Sequence, residues 1–168
     1  MSAAIYPGSF DPPTKGHVDV IERARRVFGR VIVAVGSNVR KDSARLSGER
    51  RAELMRAAVG DLEGIEVEVM SGLLVDFARE KDVRVVVKGL RDVRDFETEQ
   101  EQALLNRTMY PELETVFLVS DVRHGFVSSS AVREIAFHAG EVRAMVPGVI
   151  LEDVRRLYGR GDGQKDKI

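Results

Sequence analysis

A doubly wound α/β fold is predicted by three features of the sequence. Strand-like and helix-like patterns alternate along its whole length. The apolar runs Val31–Val35 and Val83, Val85–Val87 are rich in β-branched residues, as suits parallel strands buried on both faces. The unusual polar residues gather in stretches that follow such runs. Strands alternating with helices build a parallel sheet covered on both faces and joined by right-handed crossovers. The expectation is one Rossmann-like domain over residues 1–158 with a five-stranded parallel sheet. Residues 159–168, polar and glycine-rich, read as a flexible tail.

Each element has its own signal. Ala3 to Tyr6 is a short apolar strand. Lys15 to Phe28 carries apolar residues at Val18, Ile21, Ala24, Val27 and Phe28, a helical stripe with Thr14 as N-cap and Gly29 as stop. Val31–Val35 is the second strand, and the polar, basic stretch Gly36–Leu46 is a loop. Ser47 caps a helix with Leu54, Met55, Ala58 and Val59 on its apolar side. Ile65, Val67 and Val69 alternate with Glu66 and Glu68, the pattern of a half-exposed strand near a sheet edge. A short helix over Leu73–Glu80 leads to the valine-rich strand, which ends in the turn Lys88-Gly89-Leu90-Arg91. A long helix from about Asp95 to Met109 is expected to face inward with Phe96, Ala103 and Leu104 before Pro111 stops it. Thr115–Val119 is the fifth strand. A loop over Arg123–Ser130, a helix over Ala131–His138 and a last helix near Pro147–Tyr158 complete the chain.

Composition narrows the function classes. The 168 residues suit one domain, with 43% hydrophobic residues for a core and 32% charged residues for a hydrated surface. A net charge of −1 offers no global field for nucleic acid or for an anionic membrane. The absence of Cys excludes disulfides, thiol catalysis and Cys-based zinc sites, and fits a reducing cytoplasm. No apolar run approaches a membrane span, and the N-terminus does not read as a secretory signal.

In a parallel sheet, ligands bind beyond the carboxyl ends of the strands, where strand order reverses. The loops Gly8–His17, Gly36–Leu46, Lys88–Arg91 and Arg123–Ser130 all follow strands and so open on one rim. They bring Ser9, Thr14, His17, Lys41, Lys88, Arg91, Ser128, Ser129 and Ser130, which are hydrogen-bond donors and cations. Donors at helix starts suit phosphate esters. Phosphoryl and nucleotidyl transfer depend on positioning and charge neutralisation more than on covalent help. Structural roles stand beside these. His17 can cap or pack in the first helical turn, Lys41 can be a solvated loop lysine, and Arg91 can pair with Asp92 or Asp95. Ser128–Ser130 can be helix caps. The first loop contains neither GxGxxG nor GxxxxGK[ST].

The stretch from Gly8 to His17, ending Thr14-Lys15-Gly16-His17, resembles the (H/T)xGH signature of the nucleotidyltransferase superfamily. Val127-Ser-Ser-Ser130-Ala-Val-Arg133 resembles its second, ISSTxIR-type signature. Lys88-Gly-Leu-Arg91 and Asp95-Phe-Glu-Thr-Glu99 are similar to the (K/R)GLR and DFEYE stretches of bacterial phosphopantetheine adenylyltransferases. Leu74-Val-Asp-Phe77, Asn106-Arg107 and Pro111-Glu-Leu-Glu114 extend the likeness, which covers about Ile5 to Leu157. Ser9 stands where that family often has Thr, Thr98 replaces a Tyr, and His124-Gly125 replaces an aromatic and a polar residue.

The resemblance implies formation of 3′-dephospho-coenzyme A and pyrophosphate from ATP and 4′-phosphopantetheine, with Mg²⁺. It implies a homohexamer with coenzyme A as feedback inhibitor. Carried over by motif, His17 contacts the α-phosphate and stabilises the transition state. Ser9, Lys41 and Lys88 hold the attacking phosphate, with Arg40 as the alternative to Lys41, and Leu74 lines the pantetheine arm. ATP falls to Ser9, Phe10, His17, Gly89, Leu90, Arg91 and Glu99. The stretch His124, Gly125, Phe126, Val127, Ser128, Ser129 and Ser130 surrounds adenine and the triphosphate.

Overall fold

The computed structural model describes residues 3–37 and 46–159. Lys41, Arg40 and residues 160–168 of the expected tail lie outside them. Five strands, β1 (Ala3–Gly8), β2 (Arg30–Gly36), β3 (Ile65–Met70), β4 (Val85–Leu90) and β5 (Glu114–Val119), form a parallel sheet in the order β3-β2-β1-β4-β5. Six helices accompany them: α1 (Lys15–Phe28), α2 (Gly48–Val59), α3 (Leu74–Glu80), α4 (Val93–Met109), α5 (Ser129–Phe137) and α6 (Leu151–Tyr158). The alternating strand at Ile65–Met70 is at the sheet edge, as its half-polar pattern predicts.

Both faces of the central strands are buried, and the period of two divides their side chains. Ala4 and Tyr6 of β1, Val31, Val33 and Val35 of β2 and Val87 of β4 pack with Val20, Ile21 and Ala24 of α1 and Ala52, Met55 and Val59 of α2. The intervening residues Ile5, Ile32, Ala34 and Val86 pack on the other face with Val75, Phe77 and Ala78 of α3. A third cluster joins Leu54 of α2 to Val132 and Ala136 of α5 and to Leu151, Val154 and Tyr158 of α6. The C-terminal helices are thus part of the core.

Caps define where the helices begin. The Thr14, Ser47, Asp92 and Ser128 side chains accept from the backbone N–H of His17, Arg50, Asp95 and Ala131. Each such cap contributes about 1 kcal/mol. Gly29 ends α1 at φ 82°, in the left-handed region that glycine enters without steric cost.

Several expectations are corrected. Helix α4 has no buried residue, with Leu104 62% exposed. It lies over the outer strands β4 and β5, where only part of its surface meets the sheet. Phe96 touches Phe117 at 5.7 Å, and Ala103 lines a groove with Leu104, Leu113 and Phe117. Strand β4 starts at Val85 and runs through Lys88, Gly89 and Leu90, so these residues end a strand and do not form a turn. Pairing with β5 continues to Leu90↔Val119 and explains the extension. Ser129 and Ser130 belong to α5, because Ser128 caps it earlier than expected. The last helix is preceded by a separate 3₁₀ turn, Gly148–Ile150.

Tyr158, fully buried at the end of α6, donates from its hydroxyl to Asp11 Oδ1 at 2.6 Å. Burial pushes the phenol well above its ordinary pKa, and the neighbouring carboxylate adds to the shift. This bond ties the last helix to the first loop. Tyr158→Phe should lower unfolding free energy by about 1–3 kcal/mol, the range for a buried bond to a charged acceptor. Urea denaturation measures the change.

Candidate active site

The chain runs from β1 outward to β2 and β3, then crosses back to β4 on the other side of β1. Strand order therefore reverses beside β1, and a crevice opens above its carboxyl end. Ile5 pairs with Val86, and the same number of steps further brings β1 to Gly8 and β4 to Gly89. Both positions demand glycine for close packing. A Cβ on Gly8 would lie 2.7 Å from the Phe10 ring, and one on Gly89 would lie 3.0 Å from Val20 of α1.

Phe10 is 2% exposed and adopts φ 49°. Its ring packs beneath the loop, 5.5 Å from Tyr6 and 5.0 Å edge-on from His17. Its side chain is therefore core, and its backbone is what it presents to the crevice. Ser9, just before it, is exposed.

His17 sits in the first turn of α1. Its Nδ1 accepts from the Thr14 backbone N–H at 3.0 Å and lies 3.2 Å from Thr14 Oγ1. The His17 N–H donates to Thr14 Oγ1 at 3.3 Å, which completes a reciprocal capping box. A backbone N–H can only donate, so Nδ1 carries the lone pair and the ring proton is on Nε2. Burial, reinforced by the nearby Arg91 charge, lowers the imidazole pKa to about 4. At neutral pH the ring is an uncharged donor through Nε2, suited to a phosphate oxygen and not to accepting a proton. The capping role and the ligand role are compatible, because they use different nitrogens.

Two cations end β4, and each meets a carboxylate of α4. Lys88 Nζ lies 2.9 Å from Glu99 Oε2. Arg91 makes a two-pronged pair with Asp95, Nε to Oδ2 and Nη2 to Oδ1 at 2.8 Å each. Its Nη1 also donates to the Val127 carbonyl at 3.3 Å. Hydrogen bonding from Arg91 holds the Asp95 carboxyl below its usual range. Asp95 and Glu99 are one turn apart, so one helix face supplies both partners.

The 124–130 stretch borders the same loop. Ser128 caps α5, Ser129 Oγ donates to the Pro12 carbonyl at 2.8 Å, and Ser130 Oγ accepts from Arg133 at 3.2 Å. Arg133 also donates to the Asp11 carbonyl at 2.5 Å. The serines thus staple α5 to the first loop. Val127 is buried and Phe126 is exposed. A Cβ on Gly16 would lie 3.4 Å from the Cβ of His124, so Gly125 and His124 adjoin the start of α1. Leu74 opens α3 beyond the end of β3 and is partly buried against its cluster. Ser9, His17, Lys88, Gly89, Leu90, Arg91 and Glu99 are grouped around the reversal point.

Two contributors escape a reading by loop placement. Arg51 of α2, 3% exposed, binds main-chain carbonyls of the first loop and of the end of β2. Its position three and four residues before Leu54 and Met55, inside the apolar stripe, is the signal that marks it. The other is Asp11, which receives Tyr158; the pairing of Arg91 with Asp95 is one of the two expected.

The His17 pKa has a definite consequence. The unfolded imidazole takes up its proton near pH 6.5, whereas the folded one does so near 4. Below pH 6.5 the unfolded state binds more protons, so this contribution to stability is intact above 6.5 and is lost as pH falls toward 4. ¹⁵N NMR should find His17 neutral and protonated at Nε2 from pH 8 down to 5.

The cytidylyltransferase-like family model matches residues 5–135. A phosphopantetheine adenylyltransferase of Rubrobacter xylanophilus is 62% identical over 98% of this chain and 99% of its own. One of Heliobacterium modesticaldum is 46% identical over 95% and 94%. A bifunctional NMN adenylyltransferase/ADP ribose pyrophosphatase from Francisella tularensis shares the fold at TM-score 0.69 and 16% identity. That match covers 93% of this chain and 48% of the other, so the chain spans about half that protein's length. The signatures around His17 and Arg91 thus stand in a chain that belongs to the cytidylyltransferase-like family and, within it, to the phosphopantetheine adenylyltransferases.

Proposed function

We propose that this chain transfers the adenylyl group of ATP to 4′-phosphopantetheine, forming 3′-dephospho-coenzyme A and pyrophosphate in coenzyme A biosynthesis. The observation that carries the reading is His17, held through Nδ1 by the Thr14 backbone with Nε2–H left as donor, near the Arg91 charge at the start of α1. An oxygen of the acceptor phosphate attacks the α-phosphorus of ATP. The bond from that phosphorus to the bridging oxygen breaks, and pyrophosphate leaves with the electron pair. No enzyme group is adenylylated.

In this reading His17 Nε2–H donates to a non-bridging α-phosphate oxygen and strengthens that bond as charge builds in the transition state. Ser9 and Lys88 hold the acceptor phosphate together with Lys41, and Leu74 lines the pantetheine arm. Arg91 meets the ATP phosphates, oriented by Asp95. The Phe10 backbone, Gly89, Leu90, Glu99 and the 124–130 stretch enclose the nucleotide. In this reading the Lys88–Glu99 ion pair joins a residue of the acceptor side to one of the nucleotide side.

Mg²⁺ belongs to the proposal. Among the described residues no three His, Asp or Glu side chains are grouped for a metal, and Asp95 and Glu99 already face cations. The rim fits a metal that arrives on the ATP phosphates and keeps its water, as Mg²⁺ does. There it would neutralise phosphate charge.

A homohexamer is part of the same reading. Its support is the uncovered apolar surface of α4 and β5, where Val93, Leu104, Leu105 and Val119 are exposed. Inhibition by coenzyme A and a cytoplasmic location complete it. The reading includes no nucleic-acid or membrane partner, in keeping with a net charge of −1. No helix among the described residues is long and apolar enough to cross a membrane.

Pyrophosphate release from ATP should require 4′-phosphopantetheine and should not occur with nicotinate mononucleotide or glycerol phosphate. His17→Ala should lower kcat about 10²–10³-fold, the scale for losing one transition-state donor, with little change in ATP affinity. Release with another acceptor would assign the chain to a sister transferase. Full turnover with weakened ATP binding in His17→Ala would remove the role given to the imidazole.

A further inference from the structure

We propose that Arg51 is a positioning residue for the acceptor phosphate, acting through the Ser9 backbone. The inference rests on the assignment of Ser9 to the acceptor side. Arg51 lies in the apolar stripe of α2 and is 3% exposed. An apolar side chain there would pack without the cost of burying a charge. The guanidinium does what no apolar group can do. It donates through Nε to the Leu46 carbonyl at 3.1 Å, through Nη2 to the Gly36 carbonyl at 2.8 Å and through Nη1 to the Ser9 carbonyl.

Those three carbonyls come from three segments: the chain entering α2, the end of β2 and the loop after β1. A planar fork with fixed donor directions holds them in one arrangement, and a lysine ammonium on its flexible stem does not reproduce it. Three backbone carbonyls accept from the Arg51 guanidinium. Its charge is thus buried directly beneath the residue that faces the acceptor phosphate, and it favours an anion there.

The ATP side is held by other bonds. Thr14 fixes His17, Asp95 fixes Arg91, and Ser129 and Arg133 fix Pro12 and Asp11. Loss of Arg51 should therefore loosen Ser9 against β2 and disturb the acceptor phosphate more than the nucleotide, whose contacts at His17 and Arg91 keep anchors of their own. A residue that served stability alone would not separate the two ligands.

The test is calorimetric binding of 4′-phosphopantetheine and of ATP, each alone, to the wild-type chain, Arg51→Lys and Arg51→Met, with thermal melts of all three. Both variants should weaken the acceptor about tenfold or more and ATP less than about threefold, as expected when one subsite is misplaced. If Arg51→Met does not fold, Arg51→Lys decides. Equal weakening of both ligands, unchanged acceptor binding, or failure of both variants to fold would overturn the proposal. Binding is read without turnover, so a wild-type chain that binds the acceptor but releases no pyrophosphate counts against the proposed reaction and not against Arg51.

Discussion

The reversal of strand order beside β1 is the constraint on which the rest of the molecule depends. A central strand buried on both faces has a polar end only at its carboxyl tip. With β2 on one side and β4 on the other, strand order reverses at that tip, the place where parallel sheets bind ligands. Gly8 and Gly89 let Phe10 and α1 close against the sheet directly below it. The site is therefore built on packed strand ends, and the loops above inherit their precision from the core.

Within that crevice one device repeats: a functional group is fixed by a partner that does not use its working atoms. The Thr14 backbone takes Nδ1 of His17 and leaves Nε2 for a ligand. Arg51 takes the carbonyl of Ser9 and leaves its hydroxyl. Such preorganisation lowers the reorganisation needed as charge develops on phosphorus. The carboxylates of α4 also keep Lys88 and Arg91 from facing one another as unscreened like charges.

The fold was legible because its signals are local. Valine runs mark β2 and β4, the Glu alternation marks the edge strand β3, and Thr14, Ser47 and Ser128 mark helix starts. The crevice followed from chain order, since every polar stretch came after a strand. What stayed hidden depends on contacts far apart in sequence. Nothing near Arg51 signals that its partners are Ser9 and Gly36, and nothing near Tyr158 points to Asp11. The inward orientation expected for Phe96 and Leu104 failed because an apolar stripe does not say which surface covers it. The motif places Phe10 with the nucleotide, and only the structure shows that its ring packs against Gly8 and His17.

The central claim is a single direct displacement at the α-phosphorus, with the two phosphates aligned across His17 and no covalent enzyme intermediate. The stereochemical course tests it most directly, using ATP made chiral at the α-phosphorus with sulfur and isotopic oxygen and 4′-phosphopantetheine as acceptor. Inversion of configuration in the product is the predicted result, since one in-line attack inverts once. Retention would require two displacements through an enzyme-bound adenylyl group and would contradict the account.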